Sequence, residues 1–166
     1  MGSLRRVYVA VAITAALTLL ASPASAQSQV TYALAGVEIA FTSQQGTFVG
    51  IAIGPDDVGT WGATVVHQPL DDNVPITGGT FALDGEARNL AGVISDGEIV
   101  RLGGSCRKET FNVSGHVLLY QDGVASGDFG DFEVTLTHYG RRVSGGGCVI
   151  FFATIEGLIT FTQTTP

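Results

Sequence analysis

From Val30 onward, apolar side chains return at every second position in runs broken by Gly, Asp and Pro, and no run keeps the helical spacing of three and four. Residues 109–121 place Phe111, Val113, Val117 and Leu119 on one side. Residues 58–68 do the same with Trp61, Ala63 and Val65. In residues 129–139, Phe132, Val134 and Leu136 alternate with Glu133, Thr135 and Thr137, and the apolar side then ends in His138. Residues 30–42 align Ala33, Ala35, Val37, Ile39 and Phe41. Residues 148–163 align Val149, Phe151, Ala153, Ile155, Ile159 and Phe161. Residues 47–53 are Gly- and Ile-rich and could be buried on both sides, and residues 76–83 and 91–102 are shorter and less regular. These are eight candidate strands, and the chain reads as all-β. The odd-numbered apolar residues of the first, third and last long runs are expected to converge on one interior.

The breaks between runs suggest antiparallel neighbours. Asp84-Gly85, Asp96-Gly97 and Asp122-Gly123 have the chemistry of tight hairpin turns, where positive φ is required. Gly54-Pro55-Asp56-Asp57 reads as another turn, and Gly145-Gly146-Gly147 as a flexible connection. Short connections favour a meander over the long crossovers of a parallel sheet. Gly36, Gly50, Gly62, Gly115 and Gly157 fall inside the runs, where glycine marks bulges, barrel corners or close backbone approach. The expected fold is a single antiparallel β-barrel of about eight strands, with a two-sheet β-sandwich as the alternative. An outer-membrane barrel fits less well. The aromatic residues form no paired girdles, and the sequence ends Gln163-Thr164-Thr165-Pro166 without a terminal aromatic.

The N-terminus changes what the charge means. Arg5 and Arg6 precede an apolar run from Val7 to Leu20, and Ala24-Ser25-Ala26 follows as a small-x-small cleavage signature. The run is shorter than the roughly 20 residues of a membrane-spanning helix. Residues 1–26 are therefore expected to be a signal peptide, and residues 27–166 a single barrel domain that is secreted, extracellular or periplasmic. Eight basic residues less Arg5 and Arg6 leave six against fifteen acidic, a net charge of −9. Such a balance disfavours nucleic acid and anionic headgroups, so neither nucleic acid nor membrane insertion is expected. Cys106 and Cys148 are the only cysteines, and in an oxidising compartment they are expected to form a disulfide.

One stretch resembles a known family. "ITGGTF" (Ile76 to Phe81) follows the strand "GTWGATVV" and precedes "LAGVISDGEI". This order resembles the signature of the allene oxide cyclase and dirigent barrels. The resemblance implies an eight-stranded antiparallel barrel that holds an apolar ligand. After Phe81 the sequence departs from the family pattern with "ALDGEARN", and the C-terminal third and the cysteine pair have no counterpart in it. No catalytic residue of either family matches a position here.

The chemistry-bearing residues cluster by parity. His67 shares a side with Trp61, and His138 with Phe132, so both end inward-facing strands at what would be the mouth of a small barrel. The candidate ligand-binding residues are Trp61, His67, His138, Tyr139 and Arg141. In the bland alternative, each histidine caps the core and bonds a backbone carbonyl. Arg141 and Arg142 offer a local positive charge to a carboxylate or sulfate, or else pair with Asp128 or Asp131. His116 falls on the polar side of its strand. No metal site or cofactor is expected, since no ligand spacing for zinc or calcium is present. The expected function is binding of a small apolar ligand. The alternative is an extracellular structural or interaction domain with a solid core, and a cyclase- or isomerase-type enzyme is a third reading. A binder predicts an open cavity of several hundred Å3. A solid core predicts that Trp61, Phe132, Phe151 and Phe161 fill the interior.

Overall fold

The structure, a computed structural model, describes residues 27–164. Eight strands follow one another: β1 (Gln27–Phe41), β2 (Gln45–Ile53), β3 (Val58–His67), β4 (Asn73–Gly85), β5 (Asn89–Ser105), β6 (Lys108–Gln121), β7 (Val124–Arg142) and β8 (Cys148–Thr164). Each pairs antiparallel with its sequence neighbour, and β8 closes on β1. The fold is a closed eight-stranded antiparallel barrel, as the alternation and turns predicted. Closure removes the exposed edges that a sheet of this length would otherwise present. The proposed signal peptide lies outside the described residues.

The barrel has two distinct ends. One carries the turns 54–57, 86–88 and 122–123 together with the start of β1 and the end of β8. The other carries the turns 42–44, 68–72, 106–107 and 143–147; His67 ends β3 there, and His138 lies four residues before the end of β7. Only one of the three Asp-Gly pairs forms a turn. Asp122 and Gly123 take φ of 52° and 80° between β6 and β7. Asp84-Gly85 ends β4. Asp96-Gly97 lies inside β5 beside a register shift at Ile94/Asp96, so residues 89–105 run as one bent strand.

Aromatic side chains close the end opposite the histidines, the closed end. Tyr32 and Phe161 meet edge to face at 6.0 Å, and Phe81 lies 5.8 Å from Phe161. Above them the Trp61 indole lies across β2 and β1. Gly50 and Gly36 face it in register, and a Cβ at Gly50 would stand 2.7 Å from the indole nitrogen. Glycine is required there because the ring occupies the side-chain space of its neighbours.

Two expectations about facing are corrected. In β1 the buried residues are Tyr32 and Leu34, while Ala33, Ala35 and Ile39 face solvent. Both faces of this strand are apolar, so period-two alternation could not choose between them. Ile39 is an extra residue in the β1–β2 pairing. Beyond it the parity switches, which returns Phe41 to the rim of the interior. In β8 the residues Ala153, Ile155, Ile159 and Phe161 are buried, but Val149 is exposed and Phe151 is 68% exposed. Phe151 is itself the extra residue opposite the step between Tyr139 and Gly140, so it does not help to fill the interior.

Candidate functional site

At the histidine end the barrel keeps a cavity of about 70 Å3. Its walls are almost entirely apolar, with Trp61, Phe48, Phe132 and Leu136 among them. A water-sized group needs about 10–15 Å3 of such space, so there is room for roughly five to seven non-hydrogen atoms. The interior is neither solid nor the several hundred Å3 expected of a binder. The side chains of Phe81, Phe161 and Tyr32 occupy the lower half of the barrel and reduce the space to its upper part.

Three titratable side chains line this space: Glu38 from β1, His67 from β3 and His138 from β7. The Glu38 and His138 side chains are 5% and 8% exposed, and Glu38 Oε2 lies 3.3 Å from His138 Nε2. The two atoms are close, yet neither makes a hydrogen bond. Phe111 packs against the His138 ring at 5.3 Å and holds it in place. Buried polar atoms are almost always hydrogen-bonded, because desolvation without a partner costs free energy. A buried carboxyl and an imidazole that meet at ion-pair distance without a hydrogen bond between them can each bond a third group. Together they can orient one polar atom of a ligand or pass a proton across it.

His67 is different. Its Nδ1 lies 2.5 Å from the Gln68 carbonyl and its backbone N–H donates to Gln44. Donation from Nδ1 leaves Nε2 as the acceptor. This histidine bonds a backbone carbonyl at a strand end, as in the bland alternative, while still lining the cavity.

The mouth is partly covered. Leu70, on the turn 68–72, borders the cavity. A chain of charges ties that turn to the neighbouring strands β5 and β6: Asp72 to Arg101 at 3.5 Å, and Arg101 to Glu109 at 2.6 Å. The Arg101 backbone N–H also donates to the Asp72 carbonyl at 2.9 Å.

The sequence candidates therefore separate. Trp61, His67 and His138 come together around the cavity. Tyr139 points outward and packs on Phe152 at 5.9 Å, since it follows the inward-facing His138 by one position. Arg141 is exposed on the β7–β8 hairpin beyond the rim, and neither it nor Arg142 forms an ion pair with an acid among the described residues. Asp131 faces His116 instead, on the outer surface. Among the described residues no three His, Cys, Asp or Glu side chains gather as metal ligands. Sequence reasoning missed Glu38. The available signal was an acid on the same parity as Tyr32 and Leu34, in a strand that is otherwise apolar on both sides.

The closed end holds the other buried carboxylate. Asp57 is 5% exposed and accepts from the Tyr32 hydroxyl at 2.8 Å and the Ala87 N–H at 2.9 Å. The Ala87 N–H, the Tyr32 hydroxyl and the nearby Arg88 charge hold its carboxyl below the ordinary aspartate range. Burial, reinforced by Asp57, pushes the Tyr32 hydroxyl up.

Cys106 and Cys148 are bonded, with their Cα atoms 5.6 Å apart, a pairing compatible with an extracellular location. No family model, no curated protein and no solved structure matches the chain.

Proposed function

We propose that the protein is a secreted barrel that binds one small, largely apolar ligand at its histidine end, with Glu38 and His138 orienting the ligand's polar group. The observation that carries this reading is the Glu38–His138 pair, at ion-pair distance but without a hydrogen bond, inside an apolar cavity. A purely structural core would gain by replacing such a pair with apolar side chains. The resemblance to barrels that hold apolar ligands supports the same class of ligand, and the cavity volume limits its size. The disulfide and the N-terminal signal-like segment support export.

Trp61 is the chain's single tryptophan and lines the cavity, so its fluorescence reports occupancy directly. A series of linear alcohols, ketones and amines of about five to seven heavy atoms is expected to shift the emission saturably. Glu38→Gln with His138→Gln should weaken the polar members and leave the hydrocarbon of equal length unaffected. If no compound in the series changes the emission, the reading fails. Where the emission does shift, native mass spectrometry of protein taken from culture medium identifies the natural ligand.

The same pair favours one further reading, in which Glu38 and His138 move a proton on the bound compound and the protein is an isomerase-type enzyme. Its signature would be recovery of the added compound in changed form.

A further inference from the structure

The negative charge of this protein is not spread evenly. At the histidine end the ends of two hairpins extend past His138: residues 102–108, the end of the β5–β6 hairpin, and residues 139–152, the end of the β7–β8 hairpin. These segments hold four of the six basic residues left after Ala26, namely Arg107, Lys108, Arg141 and Arg142, and no acidic residue at all. The rest of the described chain carries two basic residues against fifteen acidic. All four basic side chains are exposed, and none forms an ion pair among the described residues.

The same tips expose large apolar side chains: Leu102, Val143, Val149, Phe151 and Phe152. Phe151 stands out because it is the bulge residue of β8. The two hairpins form one unit. The Cys106–Cys148 disulfide joins them, and the Gly140 N–H donates to the Arg107 carbonyl at 3.4 Å. The result is a braced lip, basic and apolar together, that starts one residue past His138 at the mouth of the cavity.

We infer that this lip docks the protein onto an anionic lipid bilayer, with Arg107, Lys108, Arg141 and Arg142 against the headgroups and Phe151 and Phe152 at the acyl boundary. A soluble anion would need only the charges. The exposed phenylalanines and aliphatic residues beside them match an interface that is anionic outside and apolar beneath. The acidic remainder of the barrel is repelled by the same surface, which orients the lip, and the mouth with it, toward the lipid. The docking surface stands apart from the cavity and does not require that it be loaded.

The test is co-sedimentation of the disulfide-intact protein with vesicles of phosphatidylcholine alone and with phosphatidylglycerol added. Binding is expected only with phosphatidylglycerol, and high salt should reverse it. Arg141→Gln with Arg142→Gln should weaken it roughly 25-fold, at about fivefold for each basic residue near the surface. Phe151→Ser with Phe152→Ser should weaken it at low salt as well. These residues are exposed, so a melt matching the parent confirms that each variant is folded, and the salt dependence needs no variant. Absence of binding to phosphatidylglycerol vesicles overturns the inference, as does binding that the arginine pair leaves unchanged. Capture by a heparin column without vesicle binding also overturns it, in favour of a soluble anionic polymer.

Discussion

The barrel buries one carboxylate near each end, and the two are treated in opposite ways. At the closed end Asp57 receives a hydroxyl and a backbone N–H, with Arg88 nearby. At the histidine end Glu38 faces His138 at 3.3 Å with its Oε2 unbonded. The same chemical group thus acts as a seal in one place and stands open in the other. Burial alone does not distinguish a structural acid from a candidate functional one, but the completeness of its hydrogen bonding does.

The largest expected effect lies at the seal. Tyr32→Ala removes a fully buried ring that packs on Phe161 and donates to Asp57. It should cost about 3–5 kcal/mol of unfolding free energy, in the range of large aromatic truncations. A urea melt measures it. A loss below about 1 kcal/mol would mean that the closed end is not what stabilises the barrel, and the contrast would fail.

The opposite sign is expected at the open end. Glu38→Leu combined with His138→Leu replaces two poorly satisfied polar groups with apolar ones of similar size. Stability should rise by about 1–4 kcal/mol, while the Trp61 response to polar ligands disappears. Either single change is a different experiment, since it leaves the other group buried without its neighbour. If the double variant were strongly destabilised, the pair would belong to the core rather than to a ligand.

These two sites were unequally legible in the sequence. The barrel was readable because alternation, short turns and interior glycines all agreed, and β6 and β7 face as their patterns said. His67 and His138 were readable because each extends a clean apolar face. Glu38 was not, for a reason that is physical rather than accidental. Alternation assigns an acid to the solvent side, and β1 is apolar on both sides, so the glutamate itself directed Ala33, Ala35 and Ile39 inward. Phe151 misled in a second way. A bulge adds one residue and breaks the parity on which facing rests, and no local signature announces it. The basic lip was hidden by the net charge, which averages over surfaces that the fold separates. Tyr32 and Asp57 are 25 positions apart, and the β1–β2 pairing, with Ala33 opposite Ile53, joins them.

A smaller effect tests the seal by pH. The Asp57 carboxyl is held below the ordinary value of 3.8, so the unfolded chain takes up its proton first as pH falls. Its contribution is complete above that value and is lost as pH drops through the lower folded one. Asp57→Asn should therefore be less stable than the parent at neutral pH, and the gap should narrow below pH 3.8. Thermal melts across that range measure it. A gap that stays constant into acid would mean that the Asp57 charge plays no part in the seal.

The smallest effect is expected where a charge network looks most prominent. Arg101 bridges Asp72 and Glu109 along neighbouring strands at the rim, yet its side chain is 39% and that of Asp72 87% exposed, and exposed pairs contribute only about 0–1 kcal/mol. The backbone bond from Arg101 to the Asp72 carbonyl does not depend on the side chain. Arg101→Ala should thus change stability by about 1 kcal/mol or less and leave the turn 68–72 in place. A three-residue ion network at the open end would then matter less than one hydroxyl at the closed end. Tyr32→Phe, which removes only that hydroxyl and leaves Asp57 Oδ2 short of a donor, supplies the direct comparison at about 1–3 kcal/mol. If Arg101→Ala proved the costlier of the two, the ordering by hydrogen-bond completeness would be wrong and solvent exposure would be a poor guide to which polar contacts hold this barrel together.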